Sequence, residues 1–356
     1  MAWLDFSQYA AGFNALAFLA CAALVWIAGS RLAVNADRLA SASGLGQALV
    51  GMVVLAALSS LPETAVTLDA AVADTPDLAI NNLLGSIAVQ ITLLAVGDAI
   101  VGRDALTVVA GHRTVLLQAT FVVLMLLVLA LGLLAGDVAL LGAGAWTWGL
   151  LLLYLVSVRT IARERGRAAW QAQPTEAQRS RGEEDPLAAQ APPPPAGEPV
   201  RPLLLKLAAA GAVILAAGFL LARSGEAIAQ QTGLGASFVG VALTGVAGSL
   251  PEISTVVTSM RRRRYQLALA GIFGGSLFNV MLVFVADLLY GGGPALREVG
   301  RFALAASLLG AVLSAIYLVG LLERRDRTIA RMGIDSVTVL FCYAAGLVLL
   351  YRLREP

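Results

Sequence analysis

Two glutamates, Glu63 and Glu252, each close a Ser-Leu-Pro-Glu string inside an apolar stretch, and they stand 189 residues apart. The segments around them, 44–98 and 233–287, align at that same offset without a gap, with 15 identities in 55 pairs. Gly44, Leu45, Gly46, Gly51, Ser60, Leu61, Gly85 and Asp98 all recur with their partners. Glu63 and Glu252 are therefore equivalent positions of a duplicated unit. An acid buried in a membrane helix is costly and marks an ion or substrate pathway. The proline beside each acid lacks an N–H, so Pro62 leaves the carbonyl of Leu58 without its helical donor, and Pro251 does the same for Ala247. Such carbonyls persist in hydrocarbon only where something binds them. A duplicated pair of carboxylates beside helix-breaking prolines is the pattern of a cation site near the membrane midplane.

Further oxygen donors fall within reach of the pair. Ser59 and Ser60 lie within one helical turn of Glu63, on adjoining parts of one face. In the following helix Asn82, Ser86 and Gln90 recur every four residues, which makes a polar stripe. Antiparallel copies of the unit bring Glu63 and Glu252 face to face, with Ser249 and Asn279 completing the second wall. Carboxylates, hydroxyls, amides and carbonyls are hard donors, suited to calcium and sodium and unsuited to thiophilic metals. Plainer roles compete at several positions. Asn82, Ser86 and Gln90 can also serve as interhelical hydrogen-bond glue, and Gly271 and Gly275, which replace Asn82 and Ser86 in the second copy, read as a small-residue packing face. Asp98 and Asp287 fall near helix ends, where a solvated or capping role is expected. Asp69 lies off the face of Glu63 and is left out of the site. The run Arg261 to Arg264 reads most simply as a topology anchor.

The elements that must hold these residues are membrane helices. Apolar residues make up 58% of the 356, charged residues 13%, and the mean hydropathy is +0.81, which excludes a soluble globular class. The two cysteines sit in apolar spans and form no metal motif. His112, the only histidine, lies at an expected interface. Without a nucleophile–base pair, a set of metal-ligating histidines or a nucleotide loop, an enzyme is not expected, nor is a cofactor or a nucleic-acid partner. Runs of spanning length, about 20 residues, fall at 11–30, 45–70, 78–100, 114–135, 138–160, 203–222, 234–260, 266–290, 302–322 and 334–352. The expected fold class is an all-α polytopic membrane protein, with ten transmembrane helices as two inverted five-helix repeats. Laid down alternately, the ten spans put 20 of the 25 Lys and Arg residues on one side. By the positive-inside rule that side is the cytoplasm of a cell (inner or plasma) membrane, and both termini face out. Five helices per copy is an odd number, so the second copy enters upside down. The first helix has no basic amino end and is followed by Arg31, so it reads as retained rather than as a signal peptide. Residues 1–162 form the first repeat and 201–356 the second. The segment 163–200, charged and rich in Ala, Gln and Pro, is expected to be a cytoplasmic disordered linker.

The chain resembles the sodium/calcium exchanger family of the cation/calcium antiporter superfamily, in its small prokaryotic-type form. Members read G-T-S-x-P-E and then G-N-x-x-G-S-N-x-x-N. Here the strings are Leu58-Ser-Ser-Leu-Pro-Glu63 with Asn82-Leu-Leu-Gly-Ser-Ile-Ala-Val-Gln90, and Ala247-Gly-Ser-Leu-Pro-Glu252 with Gly271-Ile-Phe-Gly-Gly-Ser-Leu-Phe-Asn279. The resemblance implies a secondary antiporter that moves calcium against sodium, with the second, third, seventh and eighth helices lining the site and the first and sixth sliding past them. By position it places the paired acids on Glu63 and Glu252 and hydroxyl ligands on Ser59, Ser60, Ser249 and Ser86. It places amide ligands on Gln90 and Asn279, and backbone carbonyl ligands on Ala56 and Gly245. Gly248 and Gly275 stand where the family has Thr or Ser and Ser, so the second half offers two fewer side-chain oxygens. Two buried carboxylates repel each other unless a cation neutralises them, which makes exchange obligatory. A proton in place of sodium is the alternative counter-ion, and a non-transporting scaffold the remote alternative. The partners expected are the lipid bilayer and inorganic cations.

Overall fold

The computed structural model describes residues 6–101, 106–109, 112–164, 197–231, 238–323, 328–329 and 332–353. Most of the expected linker, 165–196, lies outside the described residues. Among the described residues eight helices are long and apolar enough to cross a membrane, and a ninth span is made by two limbs that meet at 58°. The first repeat contains α1 (Ala11–Ala42), α2 (limbs Gly46–Ser59 and Leu61–Val72), α3 (Pro76–Val101), α4 (Arg113–Ala135) and α5 (Ala145–Arg163). The second contains α6 (Val200–Gln231), α7 (Phe238–Arg261), α8 (Tyr265–Leu289), α9 (Arg301–Glu323) and α10 (Ile334–Leu353). The 24-residue α7 stands where the seventh span is expected. Helices dominate because hydrocarbon offers no partner to a backbone N–H or C=O, so each segment must satisfy its own.

The internal repeat governs the whole architecture. Helices α1 and α6 have 32 residues each, begin 189 positions apart, and pack along one another. Helices α3 and α8 fill the centre, with Ile80, Leu83, Leu84, Ile87, Leu94, Phe273, Leu277 and Val280 all buried. The expected packing role of Gly271 and Gly275 holds: a Cβ on Gly271 would come within 3.0 Å of Leu55 Cδ2 and one on Gly275 within 3.1 Å of Gln90 Oε1. A Cβ on Gly274, which lies outside that expectation, would collide with the Met52 backbone.

The fifth span starts later than expected, at Ala145 rather than 138, whereas the tenth starts at Ile334 as expected. Residues 138–144 are not helix: β1 (Ala139–Leu140) pairs antiparallel with β2 (Ala143–Gly144), through a turn in which Leu141 and Gly142 have φ of 49° and 86°. The same hairpin recurs 189 residues later as β3 (Thr328–Ile329) and β4 (Met332–Gly333). These hairpins explain Asp98 and Asp287, which are not solvated but buried at 1% and 0% exposure. Asp98 accepts the N–H of Leu106 and, across the repeat boundary, the N–H of Gly333 in β4, each at 2.6 Å. Asp287 accepts the N–H of Ala295 and, back across the boundary, the N–H of Gly144 in β2, again at 2.6 Å. Thr147 adds a hydroxyl bond to Asp287 at 2.5 Å. Each repeat is thus capped by the other's aspartate, a reciprocal arrangement that the duplication creates in one step.

Helix α1 also runs well past the expected end at residue 30, because its polar tail has a buried partner. Asp37 lies 2.6 Å from the Arg264 guanidinium, both nearly inaccessible, and accepts the amide of Gln47 at 2.8 Å. The topology-anchor reading of Arg261 to Arg264 therefore needs correction at its last residue. Arg261, Arg262 and Arg263 are exposed, but Arg264 joins α8 to α1. The duplication does not repeat this pair: Glu226 and Thr75 occupy the equivalent positions, and Glu226 makes an exposed contact with Arg223 at 3.8 Å.

Candidate cation site

The two copies of the Pro-Glu unit fold differently. In α2 a π-helical turn at Gly51–Leu55 precedes a break at Ser60 (φ −88°, ψ 20°), and Pro62 opens the second limb. A proline in the first turn of a helix sacrifices no hydrogen bond, which is why the chain breaks just before it. Glu63 then sits in the first turn of that limb, where the helix dipole favours a carboxylate. In α7 the helix continues through Pro251 to Glu252.

Glu63 and Glu252 are buried at 8% and 3% exposure, and the charge of Glu63 bears on Glu252. Ser86 donates to Glu63 Oε1 at 3.2 Å. Ser60, from the opposite repeat, donates to Glu252 Oε1 at 3.4 Å. The Gln90 amide donates to Ser60 Oγ at 3.5 Å, and Ser276 donates to Gln90 Oε1 at 3.3 Å. A polar chain Glu252–Ser60–Gln90–Ser276 thereby joins α7, α2, α3 and α8. The second oxygen of each glutamate, and both side-chain atoms of Asn279, are buried without a hydrogen-bond partner among the described residues. Native interiors rarely leave such groups unpaired, because each lost partner costs about 1–3 kcal/mol. Beside them lies a cavity of about 10 Å³, lined by Ser59, Gln90, Glu252 and Thr255, close to the volume that admits one water-sized sphere.

The expected residues are placed unequally. Glu63, Glu252, Ser60, Ser86 and Gln90 are brought together, and Ser59 faces the same cavity. Asn279 is buried in α8, its amide without a partner among the described residues. Ser249 is half-buried one turn before Glu252, and no hydrogen bond joins it to either glutamate among the described residues. The Ala56 carbonyl already accepts the Ser60 N–H at 3.0 Å and the Ser59 hydroxyl at 3.2 Å. Gly245 lies within α7. Asn82 takes the glue role, donating to the Glu63 carbonyl at 3.4 Å and to Thr67 Oγ1 at 3.3 Å. Asp69 is exposed, as expected. Two groups escape a motif reading. Thr255, whose repeat partner is Val66, lines the cavity and bonds the Glu252 carbonyl at 2.9 Å. Ser276, whose partner is Ile87, lies inside the quoted Gly271–Asn279 string, and its neighbour Gly275 was the only signal for it.

Among the described residues no cluster of three or more His, Cys, Asp or Glu exists. The donor set is two carboxylates with neutral hydroxyl and amide oxygens, which fits a hard cation carried as cargo better than a tightly held soft metal.

A family model described as sodium/calcium exchanger protein matches residues 13–161 and 203–352, one match for each repeat. CaxA of Alkalimonas amylolytica, which carries the name of an antiporter, is 28% identical over 313 residues, covering 85% of this chain and 89% of that protein. The inner membrane protein YrbG of Escherichia coli K12 is 26% identical over 260 residues, covering 73% and 74%. A solved structure of the sodium-calcium exchanger NCX_Mj, soaked with zero Na+ and Ca2+, matches with a TM-score of 0.68 at 15% identity. That match covers 96% of this chain and 100% of the other. A second, soaked with 100 mM Na+ and 10 mM Sr2+, matches at 0.66. At this identity the likeness is one of fold.

Proposed function

The chain belongs to the sodium/calcium exchanger family, and from that premise we propose that it exchanges calcium for sodium at a site built around Glu63 and Glu252. It is a multi-pass secondary transporter, a cation/calcium antiporter and not an enzyme. The observation that carries the finer reading is the pair of buried, unpartnered carboxylate oxygens, one from each inverted copy. Around them the proposed ligands are Ser59, Ser60, Ser86, Gln90, Ser249 and Asn279, with backbone oxygens of Ala56 and Gly245. Without a cation the two carboxylates repel each other in a medium of low dielectric, and separating them from any counter-charge costs several kcal/mol. One divalent ion, or monovalent ions of equal total charge, removes that cost and lets the site pass from one face of the membrane to the other. The charge count supports an orientation with both termini outside a cell membrane, repeats at 1–162 and 201–356, and the 163–200 linker in the cytoplasm.

A proton is the second counter-ion to weigh, because Gly248 and Gly275 give the second repeat no side-chain oxygen where the first has Ser59 and Ser86. Protons and cations compete for the same two carboxylates, so calcium movement is expected to weaken as pH falls. The deciding experiment is calcium flux into proteoliposomes with sodium and proton gradients imposed separately. Flux driven by sodium alone supports the calcium/sodium reading, and flux driven by protons alone replaces it with calcium/proton exchange. Calcium flux that ignores both gradients overturns antiport by either ion.

A further inference from the structure

The cleft between α1 and α6 has a charge gradient that the cation site does not use. It measures about 680 Å³. One end is lined by Arg31 and Arg38 of α1 and Lys206 of α6, and it continues along Leu24, Ile27 and Val213. Those three apolar side chains are 40–50% exposed, so the cleft opens to the bilayer. Among the described residues Arg31 and Lys206 have no salt-bridge partner, and Arg38 has only the loose, exposed contact to Glu198 at 3.8 Å. From Leu24 to Arg38 is 14 residues, roughly 21 Å of helix at 1.5 Å per residue. That length matches half of a hydrocarbon core of about 30 Å together with its headgroup layer. The internal symmetry does not account for the basic end. Leu220, Ala227 and Ala17 occupy the positions equivalent to Arg31, Arg38 and Lys206.

We propose that this cleft binds one acidic phospholipid, its phosphate held by Arg31, Arg38 and Lys206 and one acyl chain lying along Leu24, Ile27 and Val213. Basic pockets between membrane helices, continuous with an apolar groove, match such a lipid at both ends. The orientation proposed above puts the basic end in the inner leaflet. The bound lipid ties α1 to α6. A charge that served topology alone would not require these three side chains to meet in one groove shared by helices from different repeats.

Native mass spectrometry of the full chain, with phosphatidylglycerol or phosphatidylcholine added in equal amounts, tests this. The parent protein is expected to retain one phosphatidylglycerol in preference. The double variant Arg31→Gln/Lys206→Gln should bind it roughly 30-fold more weakly, from about 1 kcal/mol per basic residue and tenfold per 1.4 kcal/mol. Val213→Trp, which keeps the charges and fills the groove, should also lose the retained lipid, and it decides the matter if the charge variant does not fold. Arg262→Gln/Arg263→Gln removes the same charge from the same end of the protein but outside the cleft, and should retain the lipid. Equal retention of the two lipids by the parent overturns the site. So does equal loss in the Arg262/Arg263 variant, or undiminished retention in Val213→Trp.

Discussion

Single substitutions at the crossed aspartates should weaken the assembly of the two repeats. In Asp98→Asn the side chain keeps its size, but its NH2 group must face either the Leu106 or the Gly333 N–H, both of which now bond to the carboxylate at 2.6 Å. One buried donor then goes unsatisfied, a cost of about 1–3 kcal/mol, and the surviving bond changes from a charged to a neutral acceptor, roughly another 1 kcal/mol. Asp287→Asn meets the same conflict between the N–H groups of Ala295 and Gly144. Each variant should lose roughly 2–4 kcal/mol, and the double variant about twice that if the sites are independent. The sum approaches the whole stability of a typical domain, about 5–15 kcal/mol. Thermal unfolding in detergent reads this as a fall of several degrees for either single variant, with Asp77→Asn, at an exposed residue, as the control. Melting of Asp98→Asn and Asp287→Asn within a degree of the control would refute the idea that these bonds fasten one repeat to the other.

Arg264→Gln removes one partner of a buried ion pair and leaves Asp37 uncompensated. Its cost should be about 3–5 kcal/mol in the same assay, against less than about 0.5 for Arg262→Gln. A side chain at Gly275 would come within 3.1 Å of Gln90 Oε1, so Gly275→Ser should displace the amide and weaken calcium-induced stabilisation. Gly248 has nothing within 4 Å of an added Cβ. Gly248→Ser should therefore fold normally and increase sodium dependence relative to proton dependence in the flux assay.

Duplication made most of this architecture legible, because an ungapped offset of 189 residues fixes equivalent positions across 44–98 and 233–287. The Glu63 and Glu252 pair followed from it, the inversion from the odd number of spans per copy, and the polar stripe through Ser86 and Gln90 from its four-residue spacing in the first copy. What the repeat hid were its asymmetries. Asp37 and Arg264 have no charged pair at their equivalent positions, so only three-dimensional packing brings α1 to α8. Thr255 and Ser276 face Val66 and Ile87 in the alignment, so symmetry argued against them. The hairpin at 139–144 was absorbed into the expected span 138–160 and the one at 328–333 fell in the stretch between two spans, since two-residue strands carry no periodicity. The burial of Asp98 and Asp287 followed from those hairpins and was equally invisible. Nor did the sequence show that the Gln90 side chain occupies the space beside Gly275, where the family has Ser.

The most direct test of the paired-glutamate site is calcium-dependent thermal stabilisation of the purified chain and of Glu63→Gln and Glu252→Gln. A ligand at a hundred times its dissociation constant stabilises by about 2.7 kcal/mol, so the parent should shift measurably as calcium is added. Either substitution removes one of two charges while nearly preserving shape, and both should abolish most of that shift. Undiminished stabilisation in either single variant would contradict a shared site and remove that glutamate from it.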